Sequence, residues 1–250
     1  MSRVSIVVPM HATGAYLDEL LTRIADTIPD AEVVLVDDAC PDGSGAAALA
    51  FAGRLPGRLR CRLVSVRPSV GQHSAVLLGL AESTAPVSVV MDADLQDPPE
   101  AIPVLVDALV SGVAQVVAAG RRGSYQARGR LVSGRWHRRA LHLASGGRMP
   151  RDAGMFLAMT SSARDAVLAL DDPVAPLLPA LIRAGMRIHT VPVVRAARTG
   201  GGSATTGGVR VRTSVRGLLT VLPLHPFVRS VRVRRWQHPS ITVTDIGGHP

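Results

Sequence analysis

The sequence predicts an α/β fold, a mainly parallel sheet flanked by helices and followed by a basic C-terminal extension. Short β-branched runs alternate with amphipathic stretches along the first 118 residues, the order that right-handed crossovers between parallel strands require. Acidic residues also recur where those runs stop, at Asp37, Asp38, Asp92 and Asp94. Open α/β sheets bind ligands at that edge, beyond the carboxyl ends of their strands.

The elements follow in order. Val4 to Pro9 is the first expected strand, and Ala15 to Thr27 a helix with Leu17, Leu20, Leu21 and Ile24 on one stripe. Val33 to Val36 is the second strand, Gly45 to Leu55 the next helix, Arg62 to Val66 the third strand and Ser74 to Ala81 its helix. Val87 to Met91 is a central buried strand, Pro103 to Ser111 is helical, and Ala114 to Ala118 is the fifth strand. No internal repeat is visible. The Gly200 to Gly208 stretch, rich in Gly, Ser and Thr, reads as a loop. The expected division is a catalytic unit over residues 1–205 and a basic extension over 206–250.

Composition bounds the function. A chain of 250 residues with 47% hydrophobic content can bury a substantial core. The net charge is +9, and all 28 basic residues are arginine. That balance favours anionic partners, such as a nucleotide or a phospholipid surface. Aromatic content of 3% offers few stacking platforms for nucleic acid, which is not an expected partner. Cys40 and Cys61 have neither metal nor redox spacing, and the eight histidines form no ligand pattern. No run approaches the ~20 apolar residues of a membrane span, and residues 1–10 are too short for a signal peptide. The expected location is the cytoplasm, with peripheral contact at the inner face of the membrane.

The stretch from Met91 to Glu100, MDADLQDPPE, carries the most chemistry. In an extended chain alternate side chains share a face, so Asp92 and Asp94 point into one cleft. A hard divalent cation wants carboxylate oxygens on one side and open positions on the other. Asp92, Asp94 and Gln96 are therefore the candidate ligands for Mg²⁺ or Mn²⁺. Asp37 and Asp38 are candidates to hold a nucleotide base, against the alternative that Pro41-Asp42-Gly43-Ser44 is a turn in its own right. Arg121 directly follows the fifth strand, where a guanidinium fork suits a phosphate. Two other Rossmann-like readings fit poorly. A phosphorylated receiver domain needs its double Asp after the first strand and a lysine. A sugar nucleotidyltransferase needs a glycine-rich loop near the first strand, which is absent here.

DADLQDPPE resembles the metal-binding motif of family 2 glycosyltransferases, in particular the branch acting on dolichol or polyprenol phosphate. Ser5-Ile-Val-Val-Pro9 is similar to that family's opening strand, Glu32 to Asp38 to its second strand, and Gly71-Gln72-His73-Ser74-Ala75 to a helix entry. Arg151 to Phe156 resembles its DxG segment, and Arg198-Thr-Gly-Gly-Gly-Ser203 its R-x-x-G-x-S loop. The resemblance implies a GT-A fold and an inverting, metal-dependent transfer of a sugar from a UDP- or GDP-linked donor. The acceptor it implies is a polyprenyl phosphate or a soluble hydroxyl compound. It also implies that Pro9, Asp37, Asp38, Asp92, Gly71, Gln72 and Ser203 contact the donor, and that Arg121 and Arg198 meet phosphate. Asp152 is then a candidate general base beside a hydroxyl acceptor; beside an acceptor phosphate, already ionised, it would only position groups.

The chain departs from the pattern in three places. His11-Ala12-Thr13 stands where Tyr-Asn-Glu is common, Met155 and Leu157 follow Gly154 where charged residues are frequent, and Ala204 stands where a lysine is typical. The missing triplet leaves a second expectation open, a non-catalytic protein binding nucleotide sugars or membrane phosphates on the same fold. The basic tail, around Arg210, Arg212, Arg216, Arg229 and Arg232, is an extension closing over the site or over a neighbouring subunit of a homo-oligomer, or an interfacial segment on anionic lipid.

Overall fold

The structure is a computed structural model that describes residues 3–11, 13–54, 59–122, 138–195, 215–221 and 239–246. The elements run β1 (Val4–Met10), α1 (Gly14–Thr27), β2 (Glu32–Asp38), α2 (Ser44–Ala52), β3 (Arg60–Arg67), α3 (Gln72–Ala81) and β4 (Val87–Val90). A 3₁₀ turn at Pro99–Ala101 leads into α4 (Ile102–Val110) and β5 (Val116–Arg122). Then come α5 (138–144), β6 (Ala153–Thr160), α6 (Ser161–Leu168), α7 (Leu177–Arg183), β7 (Ile188–Val194), α8 (215–221) and β8 (Ser240–Ile246). Each element expected up to residue 118 is present and begins within two residues of its expected start.

The eight strands form one sheet in the order β7-β5-β6-β4-β1-β2-β3-β8. β4, β1, β2 and β3 are mutually parallel, and β5 is parallel to β7. Two strands run the other way. β6 lies between β4 and β5 and is antiparallel to both, and β8 is antiparallel to β3. The sheet is thus mostly parallel but mixed. Residues 240–246, within the expected extension, close one edge of it as β8.

Helices cover both faces. Along β1, Ile6, Val8 and Met10 pack under α1 and α4, whereas Val7 packs under α3. β2 repeats the division, with Val33 and Leu35 on one face and Val34 and Val36 on the other. Every residue of β1 and β2 is buried, as expected for strands sandwiched between helical layers. Burying each Val, Leu or Ile of these strands contributes about 1.5–3 kcal/mol relative to exposure. A smaller cluster, Leu141, Met149, Ile182 and Val221, joins α5, α7 and α8. No helix among the described residues is long and apolar enough to cross a membrane.

This topology brings one set of strand ends to a common edge. The C-terminal ends of β1, β2, β4, β5 and β7 share it with the N-terminal end of β6, because β6 runs backwards.

Candidate functional site

At that edge β2 delivers Asp37 and Asp38, both almost wholly buried. Asp38 is saturated by the loop that leads into α3. Its carboxylate accepts hydrogen bonds from Ser69 Oγ at 2.9 Å, Val70 N at 2.6 Å and Gly71 N at 2.9 Å. Asp37 accepts from Cys40 N at 2.8 Å and from Arg67 Nη2 at 2.9 Å. Burial would raise its pKa, but the hydrogen bonds from Cys40 and then the Arg67 guanidinium outweigh that and hold the carboxyl below the usual range. A Cβ on Gly45 would lie 2.6 Å from Asp37 Oδ2, so α2 approaches Asp37 closely only because residue 45 has no side chain.

The turn after β2 also fastens the loop after β1. Asp42 accepts from Ser44 N at 3.1 Å, from Ser44 Oγ, and from Gly14 N at 3.2 Å, while Ser44 Oγ accepts from Thr13 N at 3.2 Å. Those bonds overcome the effect of burial and lower the pKa of Asp42.

The acidic segment leaves β4 with a strict alternation. Met91, Ala93, Leu95 and Asp97 are buried, whereas Asp92, Asp94 and Gln96 are partly exposed. Leu95, at φ +58°, turns the chain, and Gln96 N donates to Asp94 Oδ1 at 3.2 Å. Asp92 is oriented from α3, whose Gln72 donates through Nε2 to Asp92 Oδ1 at 2.7 Å. A continuous series therefore runs from Asp38 through Gly71 and Gln72 to Asp92, linking the ends of β2 and β4. Gly71, the residue before α3, has φ +85° and exposed backbone, which suits glycine.

The donor set fits a hard divalent cation. Two partly exposed carboxylates and a neighbouring amide offer the hard oxygen donors such an ion takes. Among the described residues no group of three His, Cys, Asp or Glu side chains could hold a metal alone, so phosphate oxygens or water would complete the shell. Asp92, Asp94 and Gln96 would be the ligands.

Asp152 lies at the start of β6, exposed, and accepts a hydrogen bond from Thr190 Oγ1 of β7 at 3.2 Å. A Cβ on Gly120 would come within 2.7 Å of its Oδ2. That glycine follows an irregularity in the β5–β6 register between Ala118 and Gly120, and its bareness is what lets the carboxylate lie over β5. Arg121 continues β5, paired with Val193 of β7. Pro9 is buried in β1 opposite Val36. Arg198 and Ser203 lie outside the described residues, as does the Gly200 to Gly208 stretch.

Sequence reasoning missed two charged pairs here, Arg67 with Asp37 and a deeper one. Asp97 is 1% exposed and is met by Arg195, the residue after β7, with Nη2 donating to Oδ2 at 2.8 Å and Nε 2.5 Å from Oδ1. The signal for Asp97 was present, since alternation from Asp92 and Asp94 puts residue 97 on the inward face. Nothing local marks Arg195, 98 residues later.

Comparison with known proteins agrees with this architecture. Residues 5–164 match the sequence model of the family described as glycosyl transferase family 2. A dolichol-phosphate mannosyltransferase of Pyrococcus furiosus is 36% identical over 112 residues, 44% of this chain and 31% of the relative. An undecaprenyl-phosphate 4-deoxy-4-formamido-L-arabinose transferase of Pseudomonas paraeruginosa is 32% identical over 236 residues, 89% of this chain and 66% of the relative. The chain thus spans about a third to two thirds of the length of these curated relatives. Among solved structures, glucosyl-3-phosphoglycerate synthase from Mycobacterium tuberculosis with Mn²⁺, UDP and glucosyl-3-phosphoglycerate matches with a TM-score of 0.67 and 23% identity, over 90% of this chain and 81% of that one. A mannosyltransferase from Pyrobaculum calidifontis with GDP-Man and Mn²⁺ matches with a TM-score of 0.62 and 21% identity, over 92% of this chain and 64% of that one. At these identities the structural likeness shows the fold alone.

Proposed function

The chain belongs to glycosyl transferase family 2, and from that premise we propose that it moves a sugar from a UDP- or GDP-linked donor, with inversion, to a polyprenyl phosphate or a soluble hydroxyl acceptor. The observation that carries this reading is the alternation at the end of β4. It turns Asp92, Asp94 and Gln96 outward while Met91, Ala93 and Leu95 anchor the same segment in the core. Bound there, Mn²⁺ or Mg²⁺ would neutralise charge on the departing diphosphate. Relatives named for polyprenyl-phosphate acceptors, and similar folds solved with Mn²⁺ and UDP or GDP-Man, support the same choice.

The chain's own residues then divide the work. Gln72 fixes the rotamer of Asp92 through its amide, so that carboxylate faces the cleft before any ligand arrives. The β2 end and the loop held by Asp38 form the nucleotide side, with Pro9, Gly71 and Ser203 as further donor contacts. Asp152, exposed and steadied by Thr190, faces the acceptor side. For a hydroxyl acceptor it takes the proton as the oxygen attacks; for a phosphate acceptor it only positions groups. Arg121 and Arg198 supply positive charge to phosphate. The catalytic unit of this reading is residues 1–205, with 206–250 a basic extension whose residues 240–246 complete the sheet as β8.

A donor screen by calorimetry tests the reading. UDP- and GDP-sugars are titrated with and without Mn²⁺ into wild type and Asp94→Ala. The expected result is metal-dependent binding of one nucleotide class, weakened at least tenfold in the variant. If no nucleotide binds wild type with or without metal, the reading is wrong.

A further inference from the structure

Among the described residues, Asp97 and Arg195 are the most deeply placed opposite charges at this edge. Asp97 closes the inward row Met91, Ala93, Leu95, whose members are 0%, 2% and 8% exposed. A carboxylate at 1% exposure at the end of an apolar row has lost its water and must find its partner within the protein. That partner comes from far away in the sheet. β7 and β4 are separated by β5 and β6, three strand spacings or about 14 Å, and Arg195 follows the last residue of β7. The guanidinium therefore ties the end of the outermost strand to the segment that carries the outward carboxylates. Along this turning segment Asp92, Asp94 and Gln96 are partly exposed between buried neighbours, and an anchor at residue 97 limits how far the segment can shift away from that arrangement.

We propose that the buried Asp97–Arg195 ion pair is the positioning device of the cation site, holding the Asp92–Gln96 segment so that its oxygens converge on a divalent ion. This rests on the reading above that Asp92 and Asp94 hold such an ion. Neither residue of the pair touches the ion. With Arg195 neutralised, the Asp97 carboxylate left behind draws the segment toward water; with Asp97 neutralised, the segment loses its tie to the end of β7, and in either case the presentation of Asp92 and Asp94 is disturbed.

The test uses Mn²⁺ itself as the probe, with unbound Mn²⁺ followed by electron paramagnetic resonance in the presence of the nucleoside diphosphate chosen by the donor screen. The variants are Asp97→Asn, Arg195→Gln, the double variant and Arg195→Lys. A comparison variant, Glu32→Gln, disturbs another buried carboxylate, which lies at the opposite edge of the sheet and accepts from Ser5 Oγ and Thr84. The expected result is a Mn²⁺ half-saturation raised about tenfold in each single neutral variant. Arg195→Lys or the double variant should bring most of it back, and Glu32→Gln should lower the melting temperature without moving it. Single variants that melt earlier yet bind Mn²⁺ as wild type does would show the pair to be merely structural and overturn the proposal. Wild type that binds no Mn²⁺ in the presence of nucleotide would remove the cation-site reading itself, and this proposal with it.

Discussion

At the scale of single residues, neighbouring carboxylates prove unequal. Asp37 and Asp38 look alike in sequence, yet Asp38 is held by three donors from one loop and Asp37 by a backbone amide and an arginine. Asp38→Asn puts an amide NH₂ among N–H and O–H donors. It should cost about 2–3 kcal/mol in denaturant unfolding and weaken donor binding through the displaced loop before α3. Asp37→Asn should behave differently with pH. The folded pKa of Asp37 is depressed, so its stabilisation is complete above the unfolded value near 3.9 and is lost as pH falls through the folded value. The stability gap between wild type and Asp37→Asn, about 1–2 kcal/mol at neutral pH, should therefore close below about pH 4. A gap that did not narrow at all as pH falls below about 4 would show that the charge of Asp37 is not what stabilises the fold. Gly120 offers a third test. Adding a methyl at Gly120→Ala pushes on Asp152 Oδ2 and on Val191 O. Turnover should fall 10- to 100-fold while donor affinity by calorimetry stays within about twofold, as expected of a residue proposed to serve the acceptor.

At the scale of elements, α3 connects core and site. Its Gly79 faces β1 and β2 so closely that a Cβ would meet Val7 at 2.5 Å and Val36 at 2.8 Å. Gly79→Ala should overpack this contact at a cost of about 1–3 kcal/mol, read as a melting temperature lower by about 3–10 °C. At the other end of the helix, next to Gln72, His73 has a buried Nδ1 with no hydrogen-bond partner. Burial, and then the charge of Arg216, push its imidazole down to about 4. The folded state holds it neutral, so its contribution is complete above pH 6.5 and is lost as pH falls from 6.5 towards 4. The loss is about 3 kcal/mol over that window. His73→Gln should flatten it in pH-dependent denaturant unfolding; an unchanged slope would mean that other groups govern it. Helices and strands up to residue 118 were legible because each carries its own periodicity, as the Leu17, Leu20, Leu21, Ile24 stripe of α1 does. β8 was not read, although Ile241, Thr242, Val243 and Thr244 are β-branched. Its partner β3 lies some 180 residues earlier, and arginines dominate the residues before it. β6 escaped as a strand because its first residues fall in the segment Arg151 to Phe156, read as a motif, and its reversed direction depends on pairing partners that no local pattern encodes.

At the scale of the whole molecule, the sheet order turns scattered motifs into one edge. The ends of β1, β2, β4 and β5 could be inferred to converge from the alternation of strands and helices alone; β7, beyond the last expected strand, could not. The arrival of Asp152 opposite them could not, since it requires β6 to run backwards between β4 and β5. The same gap hid Arg195, which meets Asp97 only because β7 lies beyond β5. What the sequence carried well was chemistry at short range: the outward alternation of Asp92, Asp94 and Gln96. What it carried poorly was side-chain saturation, as Asp38 illustrates, because hydrogen-bond donors from residues 69–71 are invisible until the loop folds.

The most direct test of the central claim is turnover. Purified protein is incubated with the nucleotide-sugar it binds, Mn²⁺, and either a polyprenyl phosphate or soluble hydroxyl acceptors, and nucleoside diphosphate and glycosylated product are quantified together. Equal amounts of both are expected with one acceptor class, with inverted anomeric configuration by NMR and loss of at least a hundredfold in Asp94→Ala. Tight, metal-dependent donor binding with neither product nor diphosphate released above the Asp94→Ala background would contradict that claim, leaving a nucleotide-sugar binding protein on a glycosyltransferase fold.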